Sequence, residues 1–175
     1  MSKKINLIID ASTTRSGGGL HFLGIILKEI DCIEKKRNIN LLNVYVSREF
    51  FEYSKSLKIS KKIIEKYIIV NFPIIFYPIF QFFFIPKKKF RNIKVVYLVL
   101  SSLNFIKNKN VVIMPQNLLP FDFRNIKNYG LSKELLRLLV LRLLGTISFL
   151  RSRRIIFLSE YQKKKSLKFI NFNSI

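Results

Sequence analysis

Three short segments of this chain carry residue types that can do chemistry. The first is Asp10 to Gly19, which ends in Gly17-Gly18-Gly19 and is followed closely by His21. Consecutive glycines let the backbone take positive φ and leave helix-start N–H groups uncovered by side chains. Bare N–H groups at a helix N-terminus attract phosphate and other anions. The same glycines also suit a plain tight turn. Their spacing matches neither G-x-G-x-x-G nor G-x-x-x-x-G-K-[ST], which argues against an ordinary nicotinamide or ATP site. His21 could donate to a phosphate or act as a base; the plainer reading is a surface or packing residue. The second segment is Met114-Pro115-Gln116-Asn117-Leu118-Leu119-Pro120-Phe121-Asp122. Side-chain amides offer both donor and acceptor, which suits hydroxyl-rich ligands, and they serve equally well as caps on loop backbone. The third is Ile156-Phe157-Leu158-Ser159-Glu160-Tyr161. There Ser159 explains itself as an N-cap, and Glu160 suits the positive end of a helix dipole. His21 and Cys32 are the sole histidine and the sole cysteine. A Ser-His-Asp set with a nucleophile elbow is therefore not indicated, nor is a zinc site.

Each segment needs an element to hold it, and the hydrophobic pattern supplies one. Short apolar runs at Ile5–Ile9, Leu41–Val46, Tyr67–Asn71, Val95–Leu100, Val111–Met114 and Ile155–Leu158 read as strands. Between them lie helical patterns. The first runs from Gly19 to about Lys36, with Leu20, Leu23, Ile26, Leu27 and Ile30 on one face and Cys32 as a small packed residue. Ser47 and Ser60 are placed to cap short helices. Pro73–Phe84 reads as a helix that bends near Pro78. Ser132 to about Ser152 reads as a long helix with Leu135, Leu138, Leu139 and Leu143 inward, and Glu160 to about Phe169 as the last. Continuous apolar strands separated by helices predict an α/β, Rossmann-like, mostly parallel sheet of about six strands with helices on both faces. Ligands of such sheets bind at the strands' C-terminal ends, and there this apolar chain turns polar: Asp10–Gly19, Ser47-Arg48, Ser101-Ser102, Gln116-Asn117 and Ser159-Glu160.

Composition bounds the rest. The chain has 175 residues, 49% hydrophobic, enough for one domain with a real core. A lone cysteine suits a cytoplasmic setting. The formal charge of +22 points to anionic partners. Heavy use of Lys, Ile, Asn and Phe with a single alanine, Ala11, also fits an AT-rich genome. The basic clusters read first as solvated surface, then as attraction to an anionic membrane, and last as nucleic-acid contacts; none is interleaved with aromatics in an RNA-binding pattern. Pro73–Pro86 falls short of the ~20 residues that a membrane span needs. Leu135–Leu150 carries Arg137 and Arg142, so it reads as amphipathic. No transmembrane helix is expected, while peripheral attachment through either stretch is compatible with its apolar and basic content.

Taken in order, a strand leading to Gly-Gly-Gly and a helix, a strand ending in PQNLLPFD, and a strand ending in FLSEYQKKKSL resemble the N-terminal domain of GT-B glycosyltransferases. The closest group is the retaining sugar transferases of group 1, or family 4, in bacterial surface-polysaccharide synthesis. The resemblance covers about Ile5 to Phe169. It implies that residues 1–175 form a single Rossmann-like, acceptor-side domain. A C-terminal domain carrying an E-x7-E motif would hold the nucleotide-sugar. The match sets Gly17, Gly18 and Gly19 near the donor diphosphate, and His21, Gln116, Asn117, Ser159 and Glu160 along the interdomain cleft. It implies a nucleotide-sugar donor and a glycan or lipid-linked acceptor as substrates, no resident cofactor and no metal. The expected location is the cytoplasm, with peripheral attachment at the inner face of the membrane as an option. The donor domain lies outside this sequence, so the expectation is an incomplete enzyme, inactive alone or completed by a separate C-terminal half. The competing expectation is a stand-alone basic α/β module that binds anionic membrane or nucleic acid.

Overall fold

The computed structural model describes residues 5–36, 38–72, 76–85, 94–106, 108–117, 119–122 and 132–168. Six strands form one sheet: β1 (Ile5–Ala11), β2 (Ile39–Ser47), β3 (Tyr67–Val70), β4 (Lys94–Val99), β5 (Val111–Ile113) and β6 (Arg154–Ile155). The order is β3-β2-β1-β4-β5-β6 and every pairing is parallel. The helices are α1 (Gly18–Lys36), α2 (Arg48–Ser54), α3 (Lys61–Ile64), α4 (Tyr77–Phe83), α5 (Lys133–Arg151) and α6 (Glu160–Leu167). This is an α/β fold of Rossmann-like architecture.

Alternation along the strands sorts the core into two halves, one on each face of the sheet. Ile9, Ala11, Val44, Val46 and Leu100 face Leu23, Leu27 and Ile30 of α1, Phe50 of α2 and Ile63 of α3. Ile8, Tyr45, Tyr97, Val99 and Ile113 face Tyr77 and Phe80 of α4, Phe121, and Phe149 of α5. Strands covered on both faces must be apolar throughout, which is why alternation in hydrophobicity is absent from the sequence.

Helix starts follow the serines. Ser47, Ser132 and Ser159 accept from the backbone N–H of Phe50, Leu135 and Gln162. Ser60 precedes α3 without a side-chain capping bond. Pro78 sits in the first turn of α4, where a missing N–H costs nothing. The expected start at Pro73 lies outside the described residues, as does Phe169. β6 is two residues long instead of four. Ile156 still donates to Ile113, but Leu158 N–H is already taken by Gln162 Oε1, which pulls the chain into α6. Along α5 the buried set is Leu138, Gly145, Ser148 and Phe149, while Leu139 and Leu143 are exposed, contrary to the reading from spacing. Cys32 is exposed, not packed. Among the described residues no helix is long and apolar enough to cross a membrane.

Two buried carboxylates tie elements together. Asp10, at the end of β1, accepts from Ser12 Oγ (2.7 Å), Tyr77 Oη (2.6 Å) and Gln81 Nε2 (2.8 Å). Gln81 Oε1 in turn accepts from Phe105 N–H at 2.7 Å. Burial, then the adjacent Asp10 charge, push the Tyr77 hydroxyl well above its usual range, so it remains a donor. The Asp10→Asn variant turns one acceptor oxygen into a donor facing donors. We expect it to lose about 3 kcal/mol of stability in urea unfolding, the scale of a charge-assisted bond left unmade.

Glu34 of α1 accepts from Lys62 Nζ (2.9 Å), Leu41 N–H and Lys66 Nζ (3.1 Å). Burial alone would raise its pKa. The bonds from Lys62, Leu41 and Lys66 outweigh that and hold it down to about 2, against an ordinary 4.5. A depressed carboxylate stabilises the fold fully above its unfolded value and loses that contribution as pH falls toward the folded one. Glu34→Gln should therefore cost roughly 1–3 kcal/mol at neutral pH. The gap between variant and parent in urea midpoints should close between about pH 4.5 and about pH 2.

Candidate functional site

The sheet reverses direction of winding between β1 and β4, because β1 leads outward through β2 to β3 and β4 starts the other wing. Crevices at such switch points are where open α/β sheets bind ligands. Here an open groove of about 870 Å³ lies above the ends of β1 and β5. Thr13, Thr14, Arg15, Gly18 and Gly19 form one wall; Gln116, Asn117, Arg137 and Leu141 form the other, with Phe22 and Leu158 as apolar ends. A smaller hollow of about 190 Å³ adjoins it, sharing Thr13, Gln116, Asn117 and Leu141 and adding Ser101 and Ser102 of the loop after β4.

The loop after β1 is held firmly. Thr14 N–H donates to Ala11 C=O at 3.0 Å, and Ser47 Oγ donates to Thr14 C=O at 2.6 Å. Arg15 reaches the Phe72 carbonyl beyond β3. Gly17 takes φ +60° and turns the chain into α1. Gly19 solves a different problem. A Cβ there would lie 2.8 Å from Gln116 Oε1 and 3.1 Å from Thr14 Cγ2. The loop after β5 thus packs directly on the first turn of α1, and only glycine admits that approach. Gly18 has open space around it and lines the groove.

The groove is electropositive. Arg15 and Arg137 line it and, among the described residues, no acidic side chain does. Arg137 also pairs with Glu134 at 2.9 Å on the helix surface, a contact of small energetic weight at such exposure. Two donors in the wall, Arg15 Nε and Gln116 Nε2, are buried and bonded to no protein group. Buried donors are nearly always satisfied in native proteins, so these two would favour an acceptor brought to them by a small rearrangement of the wall. The α1 N-terminus has no acidic residue in its first turn to use its N–H groups.

The site residues expected from the sequence divide into two sets. Gly18, Gly19, Gln116 and Asn117 meet at the groove, and Gly17 makes the turn beside it. Asn117 Oδ1 also accepts from Leu119 N–H at 2.9 Å, so half of its amide shapes its own loop. His21, Ser159 and Glu160 do not line the groove. His21 is exposed and lies 3.5 Å from the Tyr53 hydroxyl, toward α2. Ser159 is the cap of α6, and Glu160 points to Lys163 at 3.6 Å. Asp122 is bound by Lys165 at 2.9 Å, and that bond raises the lysine's pKa. Thr13, Thr14 and Arg15 lie within the expected Asp10–Gly19 loop without having been singled out there; the lining residues outside every expected segment are Phe22, Arg137 and Leu141. Arg137 and Leu141 stand one helical turn apart on α5, a spacing that would put both on one face; without knowledge of α5's roll, that face had no meaning. Among the described residues no cluster of three or more His, Cys, Asp or Glu side chains forms. No known protein family, curated protein or solved structure matches the chain.

The glycines yield a graded prediction. Gly17→Ala should cost roughly 1 kcal/mol for its left-handed backbone. Gly18→Ala should be neutral or slightly stabilising, since helix propensity favours alanine. Gly19→Ala should fold but displace the flexible Gln116 amide, seen as a shift of the Gln116 side-chain NH₂ signals in nitrogen–proton spectra that Gly18→Ala does not produce.

Proposed function

We propose that the chain is the acceptor-side, N-terminal domain of a GT-B type glycosyltransferase, one that transfers a sugar from a nucleotide-sugar to a glycan or lipid-linked acceptor. One observation carries the reading: an acid-free groove at the switch point, walled by the helix start at Gly18 and Gly19, by two arginines, and by the Gln116 amide. In such a transfer the bond from the sugar's anomeric carbon to the diphosphate oxygen breaks, a new bond to an acceptor oxygen forms, and the acceptor's proton passes to the departing diphosphate. Negative charge grows on the departing diphosphate. Donors fixed in advance and aimed at that charge are the most effective way for a protein to lower such a barrier. The α1 N–H groups and Arg15, held by the Phe72 carbonyl, are donors of that kind; Arg137, exposed on α5, adds positive charge, and the amide of Gln116 suits sugar hydroxyls. The nucleoside itself would be held by a second domain, so affinity for the diphosphate on this chain alone should be weak.

Titration followed by nitrogen–proton spectra tests this. Inorganic pyrophosphate and uridine diphosphate should shift Gly18, Gly19 and the Gln116 side chain to similar extents, and Arg137→Ala should weaken both. A dinucleotide enzyme would behave otherwise. Nicotinamide adenine dinucleotide would bind much more tightly than pyrophosphate and perturb Ser47 and Arg48 at the end of β2, as expected where the ribose sits in dinucleotide-binding sheets. That outcome, or no response of the groove to any phosphate, would sink the proposal.

A further inference from the structure

The two helical layers show opposite surfaces to solvent. Among the described residues of α1, α2 and α3, Ile25 is the only exposed large apolar side chain. On the other layer, α4 exposes Ile79, Phe82 and Phe83, with Phe76 and Phe84 at its ends; Phe83 is 71% accessible. α5 exposes Leu136, Val140, Leu143, Ile147 and Leu150, spaced as one stripe along the helix. Both helices pack on the same face of the sheet, α4 through Tyr77 and Phe80 and α5 through Phe149.

Acidic residues divide the other way, while basic ones occur on both layers, α1–α3 carrying Lys28, Lys35, Lys36, Arg48, Lys61 and Lys62. Glu29, Asp31 and Glu34 lie in α1, Glu49 and Glu52 in α2, and Glu65 directly after α3. α4 has no acid, and α5 has only Glu134, already paired with Arg137. α5 also carries Lys133, Arg142 and Arg151, and Lys87-Lys88-Lys89 follow α4 in sequence. The apolar layer is therefore also the layer short of negative charge.

We infer that the α4–α5 layer docks on the interface of an anionic lipid membrane. Apolar side chains flanked by Lys and Arg are what interfacial attachment uses: the former enter the acyl boundary and the latter meet the headgroups. A second copy of the chain would bring another +22 to the same contact and be repelled. A membrane carrying phosphatidylglycerol supplies the opposite charge. This surface does not depend on the sugar-transfer reading of the groove.

Co-sedimentation of the full chain with vesicles of equimolar phosphatidylcholine and phosphatidylglycerol tests the inference, with pure phosphatidylcholine as comparison. The chain should pellet with the mixed vesicles and stay in solution with the neutral ones. Phe83→Asp and Leu143→Asp should each weaken partitioning about tenfold, because a buried apolar side chain is worth at least that factor. Ile25→Asp should change nothing. The chain has no tryptophan, so Phe83→Trp adds a single reporter that keeps the surface apolar. Its emission should shift to the blue with mixed vesicles, and that of Ile25→Trp should not. Unchanged partitioning of folded Phe83→Asp and Leu143→Asp would overturn the inference, as would a silent Phe83→Trp. So would a dimer dissolved by Leu143→Asp, or tighter binding to a single-stranded oligonucleotide than to mixed vesicles.

Discussion

The carboxylate of Asp10 sets the arrangement of the middle of this molecule. It sits at the end of the central strand, almost fully buried, and no cation neutralises it among the bonds it makes. A lone charge in that position costs several kcal/mol unless donors surround it. Ser12 supplies two, from its backbone and its hydroxyl, and so bends the loop that leads to the glycines. Tyr77 and Gln81 supply the others, one helical turn apart on α4. That pair leaves α4 only one rotation about its axis. Gln81, the polar residue of the helix, must point inward beside Tyr77 and Phe80, and Phe82 and Phe83 are left to point out.

The groove depends on the same loop. Ser12 starts it, the Thr14 carbonyl is fastened by Ser47, and Gly19 lets the β5 loop close down on α1. The far side is fixed by Gln162 of α6, which bonds the Pro115 carbonyl at 2.6 Å and the Leu158 N–H at 2.8 Å. Positions far apart in sequence thus converge through a few buried polar side chains, and the Gln116 amide stands where they meet. Preorganisation of this kind is what a binding site needs, since side chains locked before the ligand arrives pay no ordering cost on binding.

Much of the fold was legible in the sequence because parallel sheets write themselves as apolar runs of strand length. The strands at Ile5, Leu41, Tyr67, Val95 and Val111 needed no tertiary knowledge, nor did the serine caps at Ser47, Ser132 and Ser159. What failed were inferences about which way a helix faces. The spacing of Leu139 and Leu143 points them inward, yet α5 is apolar over too wide an arc for spacing alone to choose. The choice was made by Gly145, whose missing Cβ leaves room for the Phe121 ring, and by Ser148, which holds the Asn104 N–H. α4 reversed the usual rule for the same reason, since a long-range carboxylate recruited its glutamine. At the site, Gly18, Gly19, Gln116 and Asn117 could be read from their place after strands. Arg15 and Arg137 could not, because lysine and arginine are too abundant here for any one to stand out.

The bond between Asp10 and Gln81 also bears on cooperativity. β1, α1 and β2 without α4 would leave the Asp10 carboxylate with Ser12 as its one protein partner. Gln81 without the loop after β4 would lack the Phe105 N–H. Neither wing of the sheet satisfies its buried polar groups alone. The two wings should therefore unfold together, as one unit.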